Sequence, residues 1–179
     1  MWVFGVMDQA GEPLAWVGRD LAFEKKREAW EKAGRSGESP AKYRFPSKNY
    51  FRRKFELYGQ HALSRTEYKV PLEHSGLTVT EGFNDVLKLR TLGVPSVGLM
   101  SNRATPQQIG KIVNISKRRV SIMLDADSQG DRGAKEALWH LTVAKATVNL
   151  AWSFEMMNGK FENRETETVT EEELHQLTS

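Results

Sequence analysis

The apolar positions of the chain follow two rhythms, and the change comes near residue 77. Before it, Trp2 to Met7 and Leu14 to Val17 are short apolar runs separated by Asp8-Gln9-Ala10-Gly11, a turn signal. That spacing predicts a β-hairpin with Arg19 just beyond it. Residues 21 to 33 are rich in Glu, Lys, Arg and Ala with apolar positions at helical spacing, which predicts a surface helix. A Gly/Ser/Pro loop runs from Gly34 to Pro40, and Tyr50 to Leu63 reads as helical in part, interrupted at Gly59.

From residue 77 strand and helix patterns alternate. Leu77-Thr78-Val79-Thr80 is a β-branched run that ends at Glu81-Gly82, and Phe83 to Leu92 has helical periodicity up to Gly93. Ser96 to Met100 is apolar again. Thr105-Pro106 with Gln108 supplies an N-cap, a proline at the first helical position and a capping-box partner for a helix reaching Ile115. Val120 to Leu124 is a third strand, Gly133 to Ala144 a helix, and Thr147 to Trp152 a fourth apolar run. Alternation with short connections predicts parallel strands joined by right-handed crossovers, with helices on both faces. Thr170 and Glu173 form another capping box, so a short helix is expected near 171 to 177. The expected layout is α/β. A small α+β basic subdomain (1–70) precedes a parallel sheet of about four strands (71–154), and an acidic segment (155–179) follows.

Composition narrows the setting. The chain has 179 residues, 39% of them hydrophobic and 27% charged, as in a folded globular protein. No run approaches the roughly 18 apolar residues of a membrane span, and the N-terminus lacks the basic start of a signal peptide. The absence of cysteine excludes disulfides and any thiolate zinc site, and a bacterial cytoplasm is the expected compartment. The net charge of +3 is unevenly spread: residues 1 to 70 hold 14 Lys/Arg against 9 Asp/Glu. Lys42, Arg44, Lys48, Arg52, Arg53 and Lys54 follow one another with no acidic residue between, interleaved with Tyr43, Phe45, Tyr50 and Phe51. Cations among rings suit a nucleic-acid strand or a triphosphate; a solvated basic loop with anchoring aromatics fits the composition equally well.

The acids are placed differently. Ligands of an open parallel sheet bind beyond the carboxyl ends of its strands. Glu81 follows the first strand directly, and Asp125 and Asp127 follow the third. Three or four carboxylates at one sheet edge repel one another unless a cation sits among them. Mg²⁺ or Mn²⁺ suits such oxygen donors, and these ions bridge phosphate oxygens during phosphoryl or nucleotidyl transfer.

In order along the chain, Thr80-Glu81-Gly82-Phe83-Asn84-Asp85, Leu92-Gly93-Val94 and Leu124-Asp125-Ala126-Asp127-Ser128-Gln129-Gly130 resemble the TOPRIM signature, over about residues 77 to 152. Upstream, Arg19, Lys42-Tyr43, Phe51-Arg52-Arg53 and Leu57-Tyr58-Gly59 resemble the segment that precedes TOPRIM in bacterial and phage primases of the DnaG-like type. Asp85, four residues after Glu81, matches the primase variant of the first motif. The resemblance implies metal-dependent synthesis of RNA primers from ribonucleoside triphosphates on a single-stranded DNA template. By it, Glu81 would be a metal ligand or general acid/base, Asp125 and Asp127 would bind the divalent ions, and Asp85 would join them directly or through water. Arg19, Lys42, Arg52 and Arg53 would hold template or nucleotide phosphates, and Tyr43 would join that nucleotide-binding set by stacking or, as the favoured reading, simply pack. Arg132 and Lys135 are expected on a solvated helix face.

The pattern also departs from that family. Bacterial primases usually begin with a cysteine zinc ribbon and end with a helicase-interacting domain, so a fragment or truncated form is expected here. A separate zinc-domain chain or a replicative helicase would be its partner. Where the family shows a further pair of acids, this chain reads Asn158 to Glu167, in which Glu162, Glu165 or Glu167 would substitute. Two other functions use the same residues: a TOPRIM nuclease or phosphotransferase acting on nucleic acid, and a non-catalytic module that binds single-stranded DNA. His61, His74, His140 and His175 show no clustered pattern that would favour a nuclease.

Overall fold

In the computed structural model, residues 1–152 and 160–178 are described. Residues 153–159 and Ser179, which the expected layout assigned to the end of the sheet unit and to the acidic segment, lie outside them. The hairpin forms as the pattern predicts. Strands β1 (Trp2–Met7) and β2 (Pro13–Arg19) pair antiparallel, with Trp2 opposite Arg19 and Val6 opposite Ala15. Asp8 shapes the turn by accepting from the Ala10 and Glu12 amides at 2.8 and 2.9 Å. Arg19 is the last residue of β2 rather than beyond it. Helix α1 (Phe23–Lys32) matches the surface helix and buries none of its residues.

Strand β3 (Tyr43–Arg44), too short to show a period, adds to the hairpin with Arg19 opposite Tyr43. The partly helical stretch at 50–63 resolves into two 3-10 turns, Arg53–Phe55 and Gln60–Ser64, separated where Gly59 takes φ 84°. A helix the pattern did not show, α2 (Lys69–His74), follows; it is six residues long and contains Pro71.

The second half is a sheet of four parallel strands with helices, as expected. Strands β4 (Leu77–Thr80), β5 (Ser96–Gly98), β6 (Arg119–Ile122) and β7 (Thr147–Leu150) lie in the order β5-β4-β6-β7. The crossovers are α3 (Phe83–Thr91), α4 (Pro106–Ile115) and α5 (Ser128–Val143). On one face Leu77, Val79, Val97, Val120 and Ile122 pack against Ile109 and Ile112 of α4 and Ala134, Ala137 and Leu141 of α5. The alternate positions Thr78, Thr80, Ser96 and Ser121 are small and buried. They let α3 sit close, since a Cβ on Gly98 would stand 2.7 Å from the Gly82 carbonyl oxygen.

Helix α5 begins five residues before the expected start. Gly130 and Gly133 permit close approach inside the helix. A Cβ on Gly130 would lie 2.0 Å from the Asp125 oxygen, and one on Gly133 would lie 1.8 Å from the Asn102 oxygen. The final helix, α6 (Glu171–Thr178), forms where the capping box placed it.

Both flanks are fastened to the sheet. Tyr58 and Gly98 exchange backbone hydrogen bonds of 2.8 and 3.1 Å, so the basic subdomain covers the outer edge of β5. Buried Gln108 donates to the carbonyls of Glu56 and Leu99 at 2.8 and 3.0 Å. Phe4, Tyr43, Tyr58 and Phe83 form one aromatic cluster across the junction. On the other flank Phe161, Val169 and Leu174 join Leu89, Met123 and Trp152 in a third core. Fully buried side chains such as Phe161 each contribute on the order of 1.5–3 kcal/mol, which is what holds this acidic segment against the sheet.

Candidate active site

The carboxyl ends of β4 and β6 bring the motif acids together. Glu81 stands one residue past β4, and its Oε1 accepts from the Asp125 amide at 3.4 Å. Asp85, in the first turn of α3, accepts from the Gly82 amide at 2.7 Å. It therefore caps its helix while lining the same cavity as Glu81 and Asp125, a space of about 270 Å³. Of the three downstream acids left open by the sequence, Glu165 and Glu167 line this cavity and Glu162 does not. They are delivered by backbone pairing along the Asp-x-Asp loop: Ala126 donates to Arg164 at 2.8 Å and Asn163 donates to Ala126 at 2.7 Å. Thr166 fixes the register by donating to the Met123 carbonyl at 2.9 Å.

Three of the five carboxylates around this space are pushed well above their ordinary ionisation range. Burial, with the charges of Asp127, Asp85 and Glu165 added, raises Glu81 to about 7, although the Asp125 amide opposes this. Burial and then the Glu81 charge raise Asp125 to about 8. Burial raises Asp85 to about 6 against its bond from Gly82. Elevation by burial and neighbouring charge together makes these acids a functional-site candidate.

Among the described residues, no three acids or histidines already converge on a common point as a metal-gripping group. The carboxylates ring the cavity instead. The donor set still fits one class of ion: all five are hard oxygens, three are kept partly protonated by burial and then by neighbouring charges, and a divalent cation retaining waters would offset both. Asp127 is placed otherwise than Asp125. Its Oδ1 accepts from the Gln129 and Gly130 amides, both at 2.8 Å, as the N-cap of α5, and it does not line the cavity.

Of the expected phosphate-binding residues, Lys42 lines the cavity, and its charge opposes the elevation of Asp85. Tyr43 packs on Phe83 with centroids 5.0 Å apart and forms part of the wall. Arg19 donates to the Tyr43 hydroxyl at 3.1 Å, Arg53 stacks over Phe45 at 4.7 Å, and Arg52 lies 5.8 Å from the Phe55 ring. These three arginines stand outside the lining. Phe45, one of the rings interleaved with the basic run, lines it too, and Asn84, Met100 and Ser101 line it without having been given a role. Met100 and Ser101 follow β5, whose carboxyl end meets the same edge, and this strand-end position was the signal available. Met100 also holds φ 58°, a strained left-handed backbone that places Ser101 at the cavity.

Residues 78–160 match the family described as Toprim-like. The chain carries a Toprim-like domain. Around it the fold is that of the primase catalytic cores, as the sequence motifs led one to expect. The zinc-binding and RNA polymerase domains of the Aquifex aeolicus primase superpose with a TM-score of 0.71 at 20% identity, covering 98% of this chain and 39% of that one. The RNA polymerase domain of Mycobacterium tuberculosis primase DnaG gives 0.65 at 16% identity, covering 98% and 53%. A DnaG primase catalytic domain bound to single-stranded DNA gives 0.55 at 24% identity, covering 76% and 37%. The chain thus spans only two-fifths to half of the length of these structures. At such identities the likeness establishes the fold. No curated protein matches the chain by sequence. Among the described residues no helix is long and apolar enough to cross a membrane.

Proposed function

We propose that this chain is the catalytic part of a primase-type nucleotidyltransferase, which joins ribonucleotides on a single-stranded DNA template with Mg²⁺ or Mn²⁺. The observation that carries the reading is the meeting of two opposite linings in one cavity. Glu81, Asp85 and Asp125 come from the Toprim-like stretch, Glu165 and Glu167 from the acidic segment after it, and Lys42, Tyr43 and Phe45 from the basic half. An acidic ring alone suits many phosphotransfer enzymes. A cation and two aromatic rings facing it suit a nucleotide, with phosphate at Lys42 and a base against the wall.

A divalent ion held by Asp125, Glu165 and the neighbouring carboxylates would neutralise charge on the reacting phosphates. The chain's own residues do the rest. Lys42 orients phosphate oxygens, and the aromatic cluster of Tyr43, Phe45 and Phe83 excludes water from one side. Glu81, titrating near neutrality, is suited to take the proton of an attacking 3′-hydroxyl at its carboxylate. Pyrophosphate leaves as the α-phosphate is transferred.

Calorimetric titration of Mn²⁺ into the wild type and the Asp125→Asn/Glu81→Gln double variant, followed by ribonucleotide incorporation on single-stranded template, tests this. Saturable binding and template-dependent incorporation, both lost in the variant, support it. Metal-dependent strand cleavage without incorporation would identify a nuclease instead. Single-strand binding that survives in the variant, with neither activity in the wild type, would identify a binding module.

A further inference from the structure

Arg44 follows Tyr43 in β3, and the two residues serve different spaces. Tyr43 walls the carboxylate cavity, whereas Arg44 lines a second cavity of about 570 Å³ with Asp20, Lys26, Trp30 and Pro40. This second space has no part in the proposed chemistry. Its construction calls for an explanation, because α1, which forms one wall, buries none of its residues and so adds nothing to the core.

Trp30 is held deliberately. Its indole N–H donates to the Gly37 carbonyl at 3.4 Å, and the Arg35 guanidinium lies 5.9 Å from the ring. The chain turns back over it through left-handed residues at Gly34, Arg35 and Gly37, with the Arg35 amide donating to the Trp30 carbonyl at 2.9 Å. Loop anchoring accounts for the indole N–H. It does not account for the charges gathered beside the ring. Asp20 is fixed by the Ala22 amide at 3.0 Å and by Lys26, and only 16% of its side chain is exposed. Arg44 stands 4.0 Å from Asp20 with 70% of its side chain exposed, so its guanidinium is oriented but not consumed. A ring, two cations and two carboxylates, the fixed Asp20 and Glu38, surround one cavity, and with Arg44 largely exposed they are complementary to an aromatic base that carries a phosphate.

The geometry points to this cavity as a second nucleotide-binding site, in which Trp30 stacks the base, Arg44 and Lys26 meet phosphate, and Asp20 accepts from a ribose hydroxyl or a base N–H. Two sources share that chemistry: one unit of a single strand passing over β3 from the carboxylate cavity, and a free nucleotide. The first rests on the proposed function; the site itself does not.

Tryptophan fluorescence of the full chain, titrated with adenosine diphosphate and separately with an oligothymidylate of roughly ten nucleotides, tests it. Stacking on Trp30 quenches emission, and that quench disappears in Trp30→Phe. Arg44→Ala weakens it about tenfold. Circular dichroism unchanged in both variants shows that the fold is kept, as expected for a helix without buried residues. Quenching by the diphosphate identifies a free-nucleotide site, and quenching by the oligomer alone identifies a strand-path site. No quenching by either ligand, or quenching that persists in Trp30→Phe, overturns the inference. In the Glu81→Gln/Asp125→Asn variant the quench remains; its loss there would place the base in the carboxylate cavity and overturn the assignment. A wild type that quenches but incorporates no ribonucleotide would sink the proposed function and leave this site standing.

Discussion

The Asp125 amide donates to Glu81 Oε1 at 3.4 Å, so two acids separated by forty-four positions share one hydrogen bond while their charges repel. Glu81 and Asp125 rise from ordinary values of 4.5 and 3.8 to about 7 and about 8. Folding therefore favours their protonated forms. The stability they contribute is complete below about pH 4 and is lost as the pH rises through 7 to 8. Without metal, the melting temperature should fall across that interval. Added Mg²⁺ should restore it, most strongly at the alkaline end, where its ligands are deprotonated. Thermal melts with and without Mg²⁺ between about pH 5 and pH 8.5 check this; a metal-free melting temperature that rises over the range would refute it.

Asp127 separates a structural role from a charge role. Its Oδ1 caps α5 through two amides. Asp127→Asn keeps a capping oxygen and should change the urea midpoint little, whereas Asp127→Ala should lose about 1 kcal/mol. If the charge also assists the ion, Mn²⁺ affinity drops in both variants alike. Affinity that follows stability, falling only in the alanine variant, would assign Asp127 to the cap alone.

Two glycines inside helices should respond with opposite signs. Gly130→Ala drives a methyl to 2.0 Å from the Asp125 oxygen and 3.0 Å from Glu81 Oε1, while nothing lies within 4 Å of a Cβ on Gly110. The first should destabilise by roughly 1–3 kcal/mol and displace the Glu81 and Asp125 carboxylates. The second, in the interior of α4, should stabilise by about 0.5–1 kcal/mol. Denaturant unfolding of both variants, with Mn²⁺ titration of the first, reads the contrast.

Arg164 touches no cavity atom yet orders two of the acids. It reaches Glu173 at 3.0 Å and Thr168 at 2.9 Å, bracketing the turn that carries Glu165 and Glu167. Arg164→Ala should weaken Mn²⁺ binding about tenfold, as loss of an outer support does, without abolishing it. Arg164→Lys should recover only part, because one ammonium cannot reach both partners. Unchanged affinity in the alanine variant would show that the buried Phe161 and Val169 suffice to hold the turn.

The residues show why some features were legible and others were hidden. Glu81 and Asp125 could be read because strand periodicity locates strand ends, and strand ends locate the site. Tyr43–Arg44 was hidden because two residues cannot display a period. Lys69–His74 was hidden by its brevity and by Pro71. The expected start of α5 fell five residues late because its N-cap, Asp127, reads as part of the acidic loop, while close packing of Gly130 and Gly133 against Asp125 and Asn102 is a long-range feature. The choice among Glu162, Glu165 and Glu167 depended on Ala126 pairing with Asn163 and Arg164, a long-range backbone register that no local pattern encodes.

The Tyr58–Gly98 bridge carries a practical consequence. Among the described residues the outer edge of β5 is paired only by this short bridge, and Phe83 and Val86 behind it are covered by Phe4, Tyr43 and Tyr58. Trimming the protein to its Toprim-like portion would bare both a strand edge and a greasy patch. Such a fragment would clump rather than express cleanly. The basic half is therefore a built-in solubility shield for the parallel-sheet half, and the two should be handled as one piece.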